Sequence, residues 1–101
     1  MRSLRWTSQA ETDFASTILY LKEEWGSQKA IQLIDRVDHL CQLIQNQPYL
    51  FPVLPDYSNI RKCFVSRHNS IFFPIQNSET IEILAFWNNR KNPENLDIDS
   101  D

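Results

Sequence analysis

Glycine is nearly missing from this chain: Gly26 is the only one in 101 residues. A glycine-rich loop that cradles phosphate has nothing to be built from. Gly-rich linkers and collagen-like repeats are excluded with it, the five prolines notwithstanding. Cysteine is scarce too. Cys41 and Cys63 cannot make a disulfide framework, and each lies in an apolar pattern, as a reduced and buried thiol in a cytoplasm would. No apolar run reaches the ~18 residues that span a bilayer. Met1-Arg2-Ser3-Leu4-Arg5-Trp6-Thr7 lacks the apolar stretch of a signal peptide. The expectation is a cytoplasmic protein with no membrane contact. No Cys, His and Asp residues stand at metal-ligand spacing, so neither a metal nor a cofactor is expected.

What remains is the composition of one globular domain. Hydrophobic residues at 42% and charged residues at 23% exclude disorder for most of the chain. A chain this long buries roughly 65% of its unfolded surface, which is one modest core. The net charge of -3 is unevenly spread. Glu94, Asp97, Asp99 and Asp101 give the last eight residues a charge of -4. Between positions 60 and 93 stand Arg61, Lys62, Arg67, Arg90 and Lys91 against Glu79 and Glu82, a local +3. Dedicated nucleic-acid binders are far more basic, so this balance alone reads first as a solvated surface.

Patterning predicts the elements. Residues 3–6 read as a short strand with Leu4 and Trp6 on one side. Ser8 is a good N-cap with Glu11 three residues on, and Ala10, Phe14, Ile18, Leu21 and Trp25 follow as one apolar stripe. Gly26 can end that helix in the left-handed conformation. Ser27 caps a second helix with the stripe Ala30, Leu33, Ile34, Val37, Leu40, Cys41 and Ile44, stopped at Asn46-Gln47-Pro48. So short a connection folds the two into a helical hairpin. A loop over 47–59 carries Pro48, Pro52 and Pro55, with Tyr49, Phe51 and Tyr57 to pin it. Three strands, 60–67, 70–76 and 80–87, follow with short gaps and predict an antiparallel meander, turning at His68-Asn69 and at Asn77-Ser78-Glu79. The last strand alternates Ile81, Ile83, Ala85, Trp87 against Glu82, Leu84, Phe86. Pro74 cannot complete a ladder in the middle strand, which demands a bulge or a local edge. Asn92-Pro93 can start one helical turn through Leu96.

The predicted fold class is α+β, in the order β-α-α-β-β-β, with the hairpin on one face of a curved antiparallel sheet. One domain spans residues 1–96, and 97–101 form an acidic, frayed tail.

In combination these residues resemble the RelE/ParE superfamily of toxins. The resemblance is carried by Trp6 with Ser8-Gln-Ala-Glu11, Trp25-Gly-x-x-x-Ala30, Ile60-Arg61-Lys62, Ile71-Phe-Phe-x-Ile75, and Ile81-x-Ile-Leu-Ala-Phe-Trp87 followed by Asn89-Arg90-x-x-Pro93. It covers about residues 3–96. It implies a toxin of a type II toxin–antitoxin pair, associated with plasmid stabilization and neutralised by a cognate antitoxin. A homodimer and a hetero-oligomer with the antitoxin both stay open. ParE-like members inhibit DNA gyrase and cut nothing; RelE-like members are mRNA interferases on the ribosome.

Chemistry separates the branches. Cleaving RNA through its own 2′-OH needs a base, cations for the phosphorane and an acid for the leaving oxygen. Arg61 fits the basic residue that the RelE-like pattern places after the Pro loop, and Arg90 fits the final arginine. Cys63 stands where a second basic residue is expected, Ser70 where an arginine is, and Trp87 where a His or Tyr should transfer the proton. His68, in the predicted turn, is the one substitute base, and no acid is placed to orient it. If the chain is a ribonuclease, the catalytic candidates are Arg61, Arg90 and His68. The expected reading is instead a toxin that acts by binding, with Arg61, Lys62, Arg67, Trp87, Arg90 and Lys91 meeting target or antitoxin. Strand alternation puts Arg61 and Arg67 on one mixed face with Cys63 and Val65 between them. A non-toxic binding module of the same fold is the third reading.

Overall fold

The computed structural model describes residues 2–75, 77 and 79–89. Arg90, Lys91, the turn expected at Asn92-Pro93 and the acidic tail lie outside the described residues. The elements are β1 (Ser3–Trp6), α1 (Ser8–Trp25), α2 (Ser27–Asn46), a 3-10 turn (Pro48–Leu50), β2 (Val53–Leu54), β3 (Tyr57–Phe64), β4 (Asn69–Pro74), β5 (Thr80–Ile83) and β6 (Ala85–Asn88). Strands β2, β3, β4 and β6 form an antiparallel sheet in that order, and β1 joins β5 in parallel. Two packed helices cover one side, as the pattern predicts. The two-residue β2 within the proline loop was not expected.

Helix α1 starts one residue earlier than the serine suggests. Thr7 is the N-cap, and its hydroxyl accepts from the Ala10 N–H at 3.0 Å. The same hydroxyl donates to the Leu84 carbonyl at 3.1 Å, so one side chain ties the helix start to the last strand. Gly26 alone separates the helices. Its φ of 96° is positive as expected, but ψ is 164°, an extended value outside the left-handed helical region and one that side-chain-bearing residues avoid. Ser27 is then the first residue of α2, with Gly26 at its cap. At the other end of α2, the Arg2 guanidinium donates to the Gln45 and Asn46 carbonyls at 3.3 and 3.2 Å, satisfying acceptors the helix leaves open.

The main core lies between hairpin and sheet. Ala10, Val37, Leu40 and Ile44 meet Cys63, Val65, Ile71, Phe73, Ile81, Ile83 and Phe86. Phe14 links the layers, its ring 5.3 Å from Trp6 and 5.1 Å from Phe86. Each such aliphatic or aromatic side chain contributes about 1.5–3 kcal/mol by leaving water. Trp25 departs from its stripe. It ends α1 at the hairpin turn and is 66% exposed.

Pro74 does mark a break. Phe72 opposes Ala85, but beyond it Ile75 opposes Ile81, so β4 advances three residues while the last strand advances four. The Phe72 carbonyl accepts from the Leu84 N–H, which places the extra residue at Leu84. The slip corrects the expected alternation. Ile81 and Ile83 face the helices with Phe86, whereas Leu84, Ala85 and Trp87 belong to the opposite side.

That opposite side is also not bare. Ile60, Phe72, Ala85 and Trp87 form a second buried cluster, flanked by Leu54, Tyr57 and Leu84. The hairpin lies on the other face and does not cover it; β2 and the bulge bring apolar side chains to it.

Candidate functional site

Arg61 is held rather than free. On β3 it opposes Phe73, so it shares the side of Cys63 and the helices. Its Nη1 donates to the Phe51 carbonyl at 2.7 Å, and its guanidinium carbon lies 5.2 Å from the Tyr49 ring centroid. Both contacts fasten the proline loop to the sheet, and a cation over an aromatic ring contributes about 0.5–1 kcal/mol where exposed. Lys62 points to the other side with Ile60 and Phe64, and Phe64 is 57% exposed there.

The mixed face drawn from Arg61 to Arg67 does not form. Cys63 and Val65 are fully buried beneath the helices. The physical reason is that β3 ends at Phe64, and Arg67 lies beyond it in the connection to β4. That connection is a four-residue turn closed by the Asn69 N–H on the Ser66 carbonyl at 3.3 Å, not a two-residue one. The Ser66 hydroxyl accepts from the His68 N–H at 3.1 Å, and the Asn89 N–H donates to the His68 carbonyl at 2.7 Å. The Asn89 side chain donates to the Ser66 and Arg67 carbonyls. Arg67 and His68 are therefore presented, exposed, on a well-braced turn.

Trp87 is 8% exposed and stacks at a tilt on Phe72, ring centroids 6.1 Å apart. It serves the second apolar cluster. Arg90 and Lys91 lie outside the described residues. His68 instead lines a cleft of about 690 Å³ between the hairpin and the β3–β4 turn, with Lys29 and Arg36 of α2. Sequence reasoning did not nominate Lys29 or Arg36. Both sit on the polar side of an amphipathic helix, where nothing in the periodicity marks them.

Arg61 and His68, the two described members of the ribonuclease set, are not brought together. A strand rises ~3.3 Å per residue, so the three steps from Arg61 to Phe64 carry the chain ~10 Å before the turn that holds His68 begins. Arg61 lies at the proline-loop end of β3 and His68 past the other end. Burial pushes the Cys63 thiol up to about 11, opposed by Arg36 nearby. The Cys41 thiol is pushed up to about 12 by burial first, then by Cys63 and Asp38. Neither is a nucleophile at neutral pH.

The family described as ParE toxin of type II toxin–antitoxin system, parDE, matches residues 4–93. The chain belongs to the ParE toxin family. Its fold is shared with solved members of the wider superfamily. The chromosomal ParDE system of P. aeruginosa superposes with a TM-score of 0.73 at 21% identity, covering 87% of this chain and 96% of that one. A YoeB/ParE toxin from Agrobacterium tumefaciens gives 0.63 at 11% identity, over 87% and 98%. The E. coli DinJ-YafQ toxin–antitoxin complex gives 0.59 at 14% identity, over 88% and 93%. No curated protein matches the chain. No helix among the described residues of this ParE-family chain is long and apolar enough to cross a membrane.

Proposed function

We propose that this ParE-family toxin acts by binding DNA gyrase and breaks no bond in RNA, and that a cognate antitoxin neutralises it. The observation that carries this reading is the separation of Arg61 from His68. Trp87 occupies the proton-transfer position with an indole packed into an apolar cluster. The Arg61 guanidinium is engaged by Phe51 and Tyr49. His68 stands past the far end of β3, so it and Arg61 do not converge on one phosphate. Among the nominated residues, Lys62 and Arg67 make the target contact, Arg61 shapes the loop beside it, and Arg90 and Lys91 extend the basic set. The antitoxin is supported by the family and by the ParDE and DinJ-YafQ relatives, which are toxin–antitoxin systems.

Purified toxin added to gyrase and relaxed plasmid tests the reading. Inhibition of supercoiling, lost when antitoxin is added, is the expected result. Unimpaired supercoiling together with ribosome-dependent mRNA cleavage that disappears in Arg61→Ala or His68→Ala would establish the ribonuclease instead. Overexpression that leaves DNA topology, mRNA and growth unchanged would favour a non-toxic module.

A further inference from the structure

The cleft beside His68 is chemically unlike the rest of the protein. The chain carries a net charge of -3, yet the described residues lining this cleft include Lys29 and Arg36 and no carboxylate. Its volume of about 690 Å³ falls among those of small-ligand sites, about 300–1,000 Å³. Arg36 is fixed there, because its Nε donates to the carbonyl of buried Val65 at 2.5 Å. A guanidinium held through Nε keeps both terminal nitrogens for a fork-like pair of bonds to an oxyanion. His68 adds an imidazole from a turn that Ser66 and Asn89 hold rigid.

The two ends of the cleft differ. Tyr20 and Trp25 stand at the hairpin end, 48% and 66% exposed, with no structural need to be in water. Arg36 lies nine residues along α2 from Ser27, a distance of ~14 Å at 1.5 Å per residue. Lys29 stands between. Flat aromatic faces at one end and oxyanion donors at the other match a molecule with a planar base and a phosphate chain. Aromatic stacking with cationic contacts is how nucleotides are gripped without sequence readout.

We propose that this cleft is a binding site for a nucleoside polyphosphate, either free or as part of a single strand, with the base on Trp25 and Tyr20 and the phosphates on Arg36, Lys29 and His68. The site is independent of whether gyrase is the target.

Titration of the full chain at low salt, followed by tryptophan emission, tests it. ATP should quench saturably, and Trp25→Phe should abolish the quench, since Trp6 and Trp87 lie in other parts of the fold. Lys29→Glu, at an exposed position that holds no fold contact, should weaken ATP roughly fivefold, and adding Arg36→Gln should bring the loss to about tenfold or more. An oligo-dT strand binding more tightly than ATP, and losing that advantage in Lys29→Glu, assigns a strand as the source; ATP binding more tightly assigns the free nucleotide. The proposal is overturned if ATP gives no saturable quench in the millimolar range, if Lys29→Glu binds ATP as the parent does, or if an oligo-glutamate peptide displaces ATP and binds more tightly. Calorimetry with Trp25→Phe separates loss of signal from loss of binding.

Discussion

The two faces of the sheet are built to different depths. Toward the helices, eleven buried residues, ten from six elements and Val65 from the turn after β3, close into one cluster. On the other side the apolar cluster is smaller, Ile60, Phe72, Ala85 and Trp87 among the described residues, with half-buried neighbours around them. Phe72 and Phe73 are adjacent in β4 and point to opposite faces, so one strand samples both. The helix side is a core in the ordinary sense. The other side is a thin apolar layer, edged by Lys62 and exposed Phe64.

Truncating each phenylalanine puts that difference to the test. Phe73→Ala should cost about 4–5 kcal/mol in chemical denaturation, because the edge-on Phe51 ring 5.8 Å away and the helices cannot collapse into the space. Phe72→Ala should cost nearer ~3 kcal/mol, since half-buried Leu54, Tyr57 and Leu84 can relax inward. Equal losses would mean that the second face is a full core. Thr7→Ala removes a cap and the bond to Leu84 at once, and should cost about 1–2 kcal/mol, measured the same way. A loss within 0.5 kcal/mol, roughly the scatter of neutral surface changes, would show that the bulge holds itself.

The thiols sharpen the comparison chemically, because Cys41 and Cys63 both belong to the helix side. Iodoacetamide at neutral pH should label buried Cys63 only as fast as the chain unfolds, and half-buried Cys41 slowly, since little of it is thiolate. Their folded values of about 12 and 11 lie above the ordinary 9.0, so the folded state holds these protons longer. Their contribution is complete below pH ~9 and is lost as pH rises toward those folded values. A Cys41→Ala, Cys63→Ala double variant should therefore lose less of its melting temperature between pH 8 and 11 than the parent does. The smallest effect on stability belongs to Lys62→Glu, within about 0.5 kcal/mol, while inhibition of the target falls. Unchanged inhibition would remove Lys62 from the interface.

Much of this was legible in the residues. Two apolar stripes separated by one glycine are sufficient to require the hairpin, and Pro74 announced an interruption in the sheet. The position of that interruption was not legible, because the period-two pattern from Ile81 to Trp87 runs on across Leu84 as if no residue were extra. Covering of the second face was hidden for a related reason: β4 is apolar at nearly every position, which fits a strand buried on both sides as well as one read carelessly as one-sided. Arg61 looked like a surface cation because nothing local shows that Phe51 and Tyr49 return to meet it. Thr7 and Ser8 offer the same hydroxyl one residue apart, and only the bond to Leu84 distinguishes them. The cleft cations were invisible, since Lys29 and Arg36 acquire their meaning from a turn thirty residues downstream.

The lone glycine has one more consequence. Reversing the signs of its torsions, φ 96° and ψ 164°, gives -96° and -164°, ordinary extended backbone for an L-residue. A D-alanine at position 26 would thus adopt these torsions without backbone strain. The handedness of one stereocentre, placed by chemical synthesis, becomes a way to stiffen the helix–helix joint by limiting the unfolded chain alone, worth about 0.4–1 kcal/mol.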